Sequence, residues 1–122
     1  MAKILIVDDS LISRISLKKI LTAEGHEIIG ESVNGVDACL KYVDLQPDLV
    51  TMDITMPEMD GLEALRRIMY FDPNAQVVMI SALGQESKIL EALNDGAMEY
   101  ITKPYETEQV ISIINDLFSL VE

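Results

Sequence analysis

The apolar residues of the chain form five short runs that alternate with five longer segments of helical spacing. The runs cover residues 4–7, 28–29, 48–52, 77–80 and 100–102. The first and fourth runs are apolar at every position, which is typical of strands covered by helices on both faces of a parallel sheet. The pattern therefore predicts five strands, each followed by a helix.

Between the runs, apolar residues recur at intervals of three and four, as amphipathic helices require. The last four predicted helices carry this spacing at Val36, Cys39, Leu40 and Val43, at Leu62, Leu65, Ile68 and Met69, at Ile89, Leu90 and Leu93, and at Val110, Ile114, Leu117, Phe118 and Val121. The first helix, over about residues 11–23, is less regular. We expect one domain over residues 1–122 with an α/β fold, a doubly wound five-stranded parallel sheet with helices on both faces.

Composition narrows the possible partners. The chain has 122 residues and a formal net charge of −12, so a nucleic-acid partner is not expected. No apolar run approaches the roughly 20 residues that span a bilayer, and the chain reaches Asp8 too soon for a signal peptide. We therefore expect a cytoplasmic protein without a membrane partner. Cys39 has no second cysteine with which to form a disulfide or a zinc site.

Polar residues stand where four of the predicted strands end. Asp8 and Asp9 follow the first strand, Asp53 the third, Ser81 the fourth and Lys103 the fifth. Taken singly, these residues have ordinary explanations as helix caps, turn residues or a surface lysine. In doubly wound sheets, however, ligands bind outside the carboxyl ends of the strands. We therefore expect these side chains to meet at one edge of the sheet.

These residue types together favour phosphoryl chemistry. Three carboxylates brought together repel one another, which raises at least one pKa unless a cation is present. Hard oxygen ligands of this kind suit Mg²⁺. Lys103 adds a positive charge that can approach a phosphoryl oxygen, and the Ser81 hydroxyl can donate to another. A carboxylate nucleophile beside Mg²⁺ and a lysine can form an aspartyl phosphate.

Four segments resemble those of response-regulator receiver domains. They are residues 8–10 (DDS), 52–61 (MDITMPEMDG), 81–82 (SA) and 103–104 (KP). The resemblance runs from Lys3 to about Val121 and leaves no room for an effector domain. Among receivers, the chain is most similar to the free-standing regulators of chemotaxis. The resemblance implies the flavodoxin-like strand order 2-1-3-4-5.

The resemblance also implies a role for each site residue. Asp53 would accept a phosphoryl group from a histidine kinase. Asp9 would bind Mg²⁺ directly and Asp8 would assist, while Asp53 and the backbone carbonyl of Thr55 would supply further ligands. Lys103 would contact the phosphoryl group, and its peptide bond to Pro104 would be cis.

The implied output is a switch. Ser81 would turn toward the new phosphoryl group and vacate space that the ring of Tyr100 can fill. The surface over about residues 86–114 would then change its affinity for a partner. Two residues depart from the commonest chemotaxis pattern, because Ser81 replaces a more frequent Thr and Thr55 stands where Asn is familiar.

The implied partners are a chemotaxis-type (CheA-like) histidine kinase, a flagellar motor switch protein and a phosphatase, with the protein itself a monomer. It would be no ordinary enzyme but a phosphoacceptor that assists its own phosphotransfer and dephosphorylation. A phosphorelay intermediate or a receiver of another pathway is the alternative within the family, and a receiver cut from a longer regulator is a third.

Two further classes share parts of the pattern. Haloacid-dehalogenase-like, Mg²⁺-dependent phosphohydrolases resemble the chain in aspartyl-phosphate chemistry, but they carry Asp-x-Asp after the first strand and a cap domain. The adjacent pair Asp8 and Asp9 and the short chain argue against that class. A flavodoxin-like flavin carrier needs a Ser/Thr/Gly-rich phosphate loop after the first strand, where this chain has Asp-Asp-Ser.

Overall fold

A computed structural model describes residues 1–119. Strands and helices alternate along them in the order β1 (Lys3–Val7), α1 (Leu11–Ala23), β2 (Glu27–Ser32), α2 (Gly35–Leu45), β3 (Leu49–Asp53), α3 (Gly61–Phe71), β4 (Val77–Ser81), α4 (Glu86–Asn94), β5 (Glu99–Thr102) and α5 (Thr107–Ser119). The strands form one parallel sheet in the order β2-β1-β3-β4-β5. The predicted α/β fold and strand order are confirmed. Val121 lies outside the described residues.

The core has two layers because the strands are apolar on both faces. Successive strand residues point to opposite sides of the sheet. Leu5 and Val7 of β1 therefore join the cluster under α2, α3 and α4, while Ile4 and Ile6 join the cluster under α1 and α5. Within residues 1–119, no helix is long and apolar enough to cross a membrane.

The α2 helix is present, but its expected apolar face was wrong at three of four positions, because only Cys39 packs against the core. Val36, Leu40 and Val43 are exposed, Leu40 by 66%, whereas Ala38 and Tyr42 are buried. The Tyr42 hydroxyl donates a hydrogen bond to Asp72 at 2.8 Å, so the ring is buried with its polar atom paired. Since apolar residues occupy both sides of α2, spacing alone could not decide which side faces the core.

N-cap side chains join the loops at the carboxyl edge of the sheet to the helices that follow them. Ser10, Asn34 and Asp60 each precede a helix and accept a hydrogen bond from a backbone N–H of its first turn. These caps satisfy N–H groups that have no partner inside the helix. Gln85, which precedes α4, makes no such side-chain cap.

Candidate functional site

The parallel sheet brings three acids to one point of its carboxyl edge. Val7 of β1 pairs with Met52 of β3, so the residues that follow them, Asp8 and Asp53, are neighbours. One carboxylate oxygen from each of Asp8, Asp9 and Asp53 lies within 4.8 Å of the other two. Asp8 is buried, Asp53 is half-buried and Asp9 is exposed. The predicted convergence of the acids is therefore present.

Two hydrogen bonds hold the carboxylate of Asp8 and a third holds its backbone. Its Oδ1 accepts a hydrogen bond from the backbone N–H of Ser10 at 2.8 Å, and its Oδ2 accepts one from Lys103 Nζ at 2.8 Å. Its own carbonyl accepts from Arg14 Nη1 at 2.7 Å. These bonds turn the Asp8 carboxylate toward Lys103.

Lys103 reaches the same cluster from the opposite end of the chain. Its Nζ lies 3.8 Å from Asp53 Oδ2, and it donates to Ser13 Oγ at 3.4 Å. The peptide bond between Lys103 and Pro104 is cis, as expected from the resemblance. Burial alone disfavours the ammonium ion, but the hydrogen bond to Asp8 and the charge of Asp53 raise the pKa of Lys103 above its ordinary value.

The electrostatic environment of Asp53 differs from that of a surface acid. Burial and the neighbouring charge of Asp8 raise the pKa of Asp53 to about 6, even though Lys103 acts in the opposite direction. Three acids with one lysine leave an excess of negative charge on hard oxygen donors. This donor set fits a small divalent cation such as Mg²⁺.

Stability should consequently depend on pH and Mg²⁺ together. Because the folded-state pKa of Asp53 is raised, the stability that Asp53 contributes to the folded protein is fully present below pH 3.8. That stability is lost as pH rises through about 6. A cation that binds only the folded protein, at 100 times its dissociation constant, stabilises it by about 2.7 kcal/mol. We expect Mg²⁺ to raise Tm by several degrees at pH 7.5 and much less at pH 5, measured by thermal unfolding. Equal shifts at both values would contradict this.

Ser81 is present at the site but points away from it. Its side chain is fully buried, and Oγ lies 3.5 Å from the carbonyl oxygen of Ile101 and 3.2 Å from Thr102 Oγ1. Its hydroxyl is thus held against β5. Its carbonyl accepts from the backbone N–H of Lys103 at 2.7 Å, which ties the lysine's loop to β4.

Tyr100 lies on the outer side of β5, and 39% of it is exposed. It lines a groove of about 250 Å³ together with Glu86, Ile89, Leu90 and Leu93 of α4. The structure therefore separates the predicted switch tyrosine from the acids and places it on the surface formed by α4 and β5.

Gln85 lies beside the acceptor, although no motif in the sequence indicates it. Gln85 Nε2 donates to Thr55 Oγ1 at 2.9 Å, and its Oε1 accepts from the backbone N–H of Ala82 at 2.7 Å. These contacts join two loops that are distant in sequence, so no local pattern could reveal them.

Gly61 is the last residue of the segment 52–61 that resembles receiver domains, and the structure shows why a glycine is needed there. Its N–H donates to the carbonyl of Ile54 at 2.7 Å. A Cβ at this position would overlap the carbonyl oxygen of Asp53 and lie 2.9 Å from its carbonyl carbon. The start of α3 therefore packs directly on the backbone of the acceptor residue.

Comparisons with known proteins agree with this geometry. The family model "Response regulator receiver domain" matches residues 4–115. The chemotaxis protein CheY of Thermotoga maritima is 47% identical over 113 residues, which are 93% of this chain and 94% of that protein. CheY of Bacillus subtilis gives the same identity and coverage.

Solved structures agree as well. A chain of the CheX–CheY–BeF3–Mg²⁺ complex from Borrelia burgdorferi matches with a TM-score of 0.92 and 43% identity, over 95% of this chain and 88% of that one. The chain belongs to the response-regulator receiver-domain family. It is a phosphoacceptor switch and not an enzyme in the ordinary sense.

Proposed function

We propose that Asp53 accepts a phosphoryl group from a histidine kinase in the presence of Mg²⁺, and that this modification switches a surface that binds a downstream protein in chemotaxis. One observation carries the proposal. Asp53 shares a single edge of the sheet with Asp8, Asp9 and Lys103, with acid oxygens within 4.8 Å of one another and Lys103 Nζ 3.8 Å from Asp53, so all four can act on one phosphoryl group.

The acids would have two roles at the site, binding Mg²⁺ and, for Asp53, acting as the nucleophile. Asp8, Asp9, Asp53 and the backbone carbonyl of Thr55 would hold Mg²⁺, which offsets negative charge on the transferred group when it is bound. An oxygen of Asp53 attacks the phosphorus atom as its bond to the kinase histidine nitrogen breaks. With a pKa of about 6, Asp53 is mostly ionised at neutral pH and can act as the nucleophile. In this way the chain assists its own phosphotransfer and, with water as the nucleophile, its dephosphorylation.

Lys103 and Ser81 would respond to the new phosphoryl group. The ammonium of Lys103 is 3.8 Å from Asp53 and can follow the added charge without leaving Asp8. The Ser81 hydroxyl would exchange its contacts of 3.5 Å with the Ile101 carbonyl and 3.2 Å with Thr102 Oγ1 for a stronger hydrogen bond to the charged phosphoryl oxygen. Tyr100 would then move inward and change the groove on α4.

Partners are proposed from the relatives. Proteins named chemotaxis protein CheY match over nearly their full length, which supports a CheA-like kinase and a flagellar motor switch protein as the target. The proposed form of the protein is a cytoplasmic, monomeric, single receiver domain. The structural match within a CheX–CheY complex supports a protein partner that binds the receiver directly, and a phosphatase is the partner that we propose. The net charge of −12 argues against nucleic acid as a ligand.

The test is treatment of the protein with acetyl phosphate, with and without Mg²⁺, read by intact mass. We expect a single phosphoryl adduct only with Mg²⁺, mapped to the peptide that contains Asp53. A chemotaxis histidine kinase serves as a second donor. No adduct from either donor, with Mg²⁺ binding confirmed by titration, would contradict the proposal.

The output is tested by binding to a motor switch peptide. We expect the phosphorylated protein to bind it more tightly than the unphosphorylated one. Equal affinity in both states would exclude the motor as the target. Onward transfer of the phosphoryl group to a histidine phosphotransfer domain would instead favour the phosphorelay alternative.

Lys103→Arg should fold normally yet signal poorly. Lys103 borders a cavity of about 440 Å³ that also contacts Ser13 and Tyr105, so a larger side chain fits. A planar guanidinium does not reproduce the point contact of an ammonium between Asp8 and Asp53. We expect an unchanged Tm and, from the loss of about one charge-assisted hydrogen bond, roughly tenfold weaker phosphorylation-dependent partner binding.

The matched control is Lys19→Arg, at an exposed position on α1. It should behave as wild type in both assays. Wild-type signalling by Lys103→Arg would show that the contact is not used.

A further inference from the structure

The side chain of Gln85 joins the two loops on either side of Asp53. Its Oε1 accepts a hydrogen bond from the backbone N–H of Ala82 at 2.7 Å, and its Nε2 donates to Thr55 Oγ1 at 2.9 Å. Thr55 comes two residues after Asp53, and Ala82 directly follows β4, the strand beside β3. The amide of Gln85 therefore fastens the loop after β3 to the loop after β4.

Gln85 serves this contact instead of its own helix. It occupies the residue before α4 but makes no side-chain hydrogen bond to the first turn. The corresponding residues of α1, α2 and α3, which are Ser10, Asn34 and Asp60, all do so. A glutamine bound at both ends of its amide, at the start of α4, thus connects the acceptor site with that helix.

The N–H that Gln85 occupies belongs to the loop beside Asp53 and is a donor of the kind that a phosphoryl group there can use. The anionic oxygens of that group require N–H or cationic partners, and hydrogen bonds to charged acceptors are stronger than those to a neutral amide. Lys103 can serve on the side of Asp8. On the side of β4, Asp53 pairs with Ile80, and Ala82 carries the first backbone N–H beyond the strand. That N–H is already bonded to Gln85.

We propose that Gln85 is a positioning residue. Its amide clamps Thr55 to the Ala82 N–H in the unphosphorylated protein and gives up that N–H to the phosphoryl group on Asp53. Release of Gln85 frees the start of α4, whose residues Ile89, Leu90 and Leu93 line the groove beside Tyr100. This inference rests on the proposed phosphorylation of Asp53 and adds the residue through which the modification reaches α4.

Two substitutions at the same position should act in opposite directions. Gln85→Ala removes the competitor for the Ala82 N–H, so the phosphoryl mimic BeF3⁻ should bind about fivefold more tightly in saturating Mg²⁺. Gln85→Glu places a carboxylate there that accepts more strongly and repels the anion, so binding should weaken by about fivefold or more. Titrations followed by the NMR signal of the Ala82 N–H measure both. Thr55→Val should reproduce part of the gain and add nothing to Gln85→Ala.

Controls separate the clamp from general effects on the fold. Gln109→Ala changes an exposed glutamine of α5 and should leave BeF3⁻ affinity unaltered. The Mg²⁺ affinity of Gln85→Ala should stay within about twofold of that of wild type, because Gln85 contacts none of the three acids and bonds the side chain of Thr55, not the backbone carbonyl proposed as a ligand. Without BeF3⁻, hydrogen exchange at the Ala82 N–H should be faster in Gln85→Ala than in wild type, which tests the clamp independently of phosphorylation.

The outcomes are distinct. The clamp would be overturned if BeF3⁻ affinity changed in the same direction in Gln85→Ala and Gln85→Glu, or if hydrogen exchange at the Ala82 N–H were unchanged in Gln85→Ala. Either result would leave the proposed phosphorylation of Asp53 intact. Failure of Mg²⁺-loaded wild type to bind BeF3⁻ would overturn the proposed function and, with it, the competition for the Ala82 N–H. Opposite shifts with faster exchange support the proposal.

Discussion

Asp53→Asn should abolish the Mg²⁺-dependent phosphoryl adduct while leaving the fold intact. An asparagine amide cannot act as the nucleophile, and Asp8, the buried acid of the cluster, is already engaged by Lys103 at 2.8 Å. The two side chains have nearly the same shape, so packing at the end of β3 is preserved. Intact mass after acetyl phosphate treatment measures the adduct, and an adduct on the variant would contradict the assignment of Asp53.

The same variant should be more stable than wild type when Mg²⁺ is absent. Ionised Asp53 is disfavoured in the folded protein at pH 7.5, because its pKa is raised to about 6 by burial and by the charge of Asp8. After allowance for partial solvent screening, removing that charge should raise the free energy of unfolding by about 1 to 2 kcal/mol. The gain should shrink at pH 5, where Asp53 is protonated in the folded protein.

Urea denaturation with EDTA, at both pH values, measures this difference. Asp44→Asn, at an exposed position on α2, is the control for loss of one negative charge from an acidic protein. It should change stability by less than 0.5 kcal/mol. Loss of stability in Asp53→Asn at pH 7.5 would show that the three acids do not repel one another as the geometry indicates.

The convergence of the site residues could be predicted because it follows from topology alone. Strands that are apolar on both faces indicate a parallel sheet, and parallel strands place Asp8, Asp53 and Lys103 at one edge whatever the details of packing. The strand order, in contrast, came from the resemblance to a family, since spacing does not determine which strands are neighbours.

Side-chain direction could not be predicted in the same way. The apolar spacing of α2 suggested Val36 and Leu40 as core residues, but the helix is buried along Ala38 and Tyr42. The hydrogen bonds of Gln85 depend on two loops that meet only in the folded protein. Helical spacing fixes which residues share a face, and tertiary packing decides which face is buried.

Among the glycines near the site, Gly61 is the one whose substitution by alanine should destabilise the protein most. A Cβ at Gly61 would overlap the carbonyl oxygen of Asp53 and lie 3.0 Å from Cα of Ile54. Both neighbours are backbone atoms, which cannot move aside as a flexible side chain can. We expect the free energy of unfolding to fall by about 3 kcal/mol, in the range of severe overpacking.

Gly84→Ala separates crowding from backbone conformation. Gly84 has a φ of +86° but nothing within 4 Å of the position of a Cβ, so its substitution should cost only about 1 kcal/mol. Urea denaturation of the two variants and wild type gives both values. A smaller loss in Gly61→Ala than in Gly84→Ala would mean that α3 can shift away from Asp53. In that case the close contact between this helix and the acceptor backbone would not be what holds Asp53 in position.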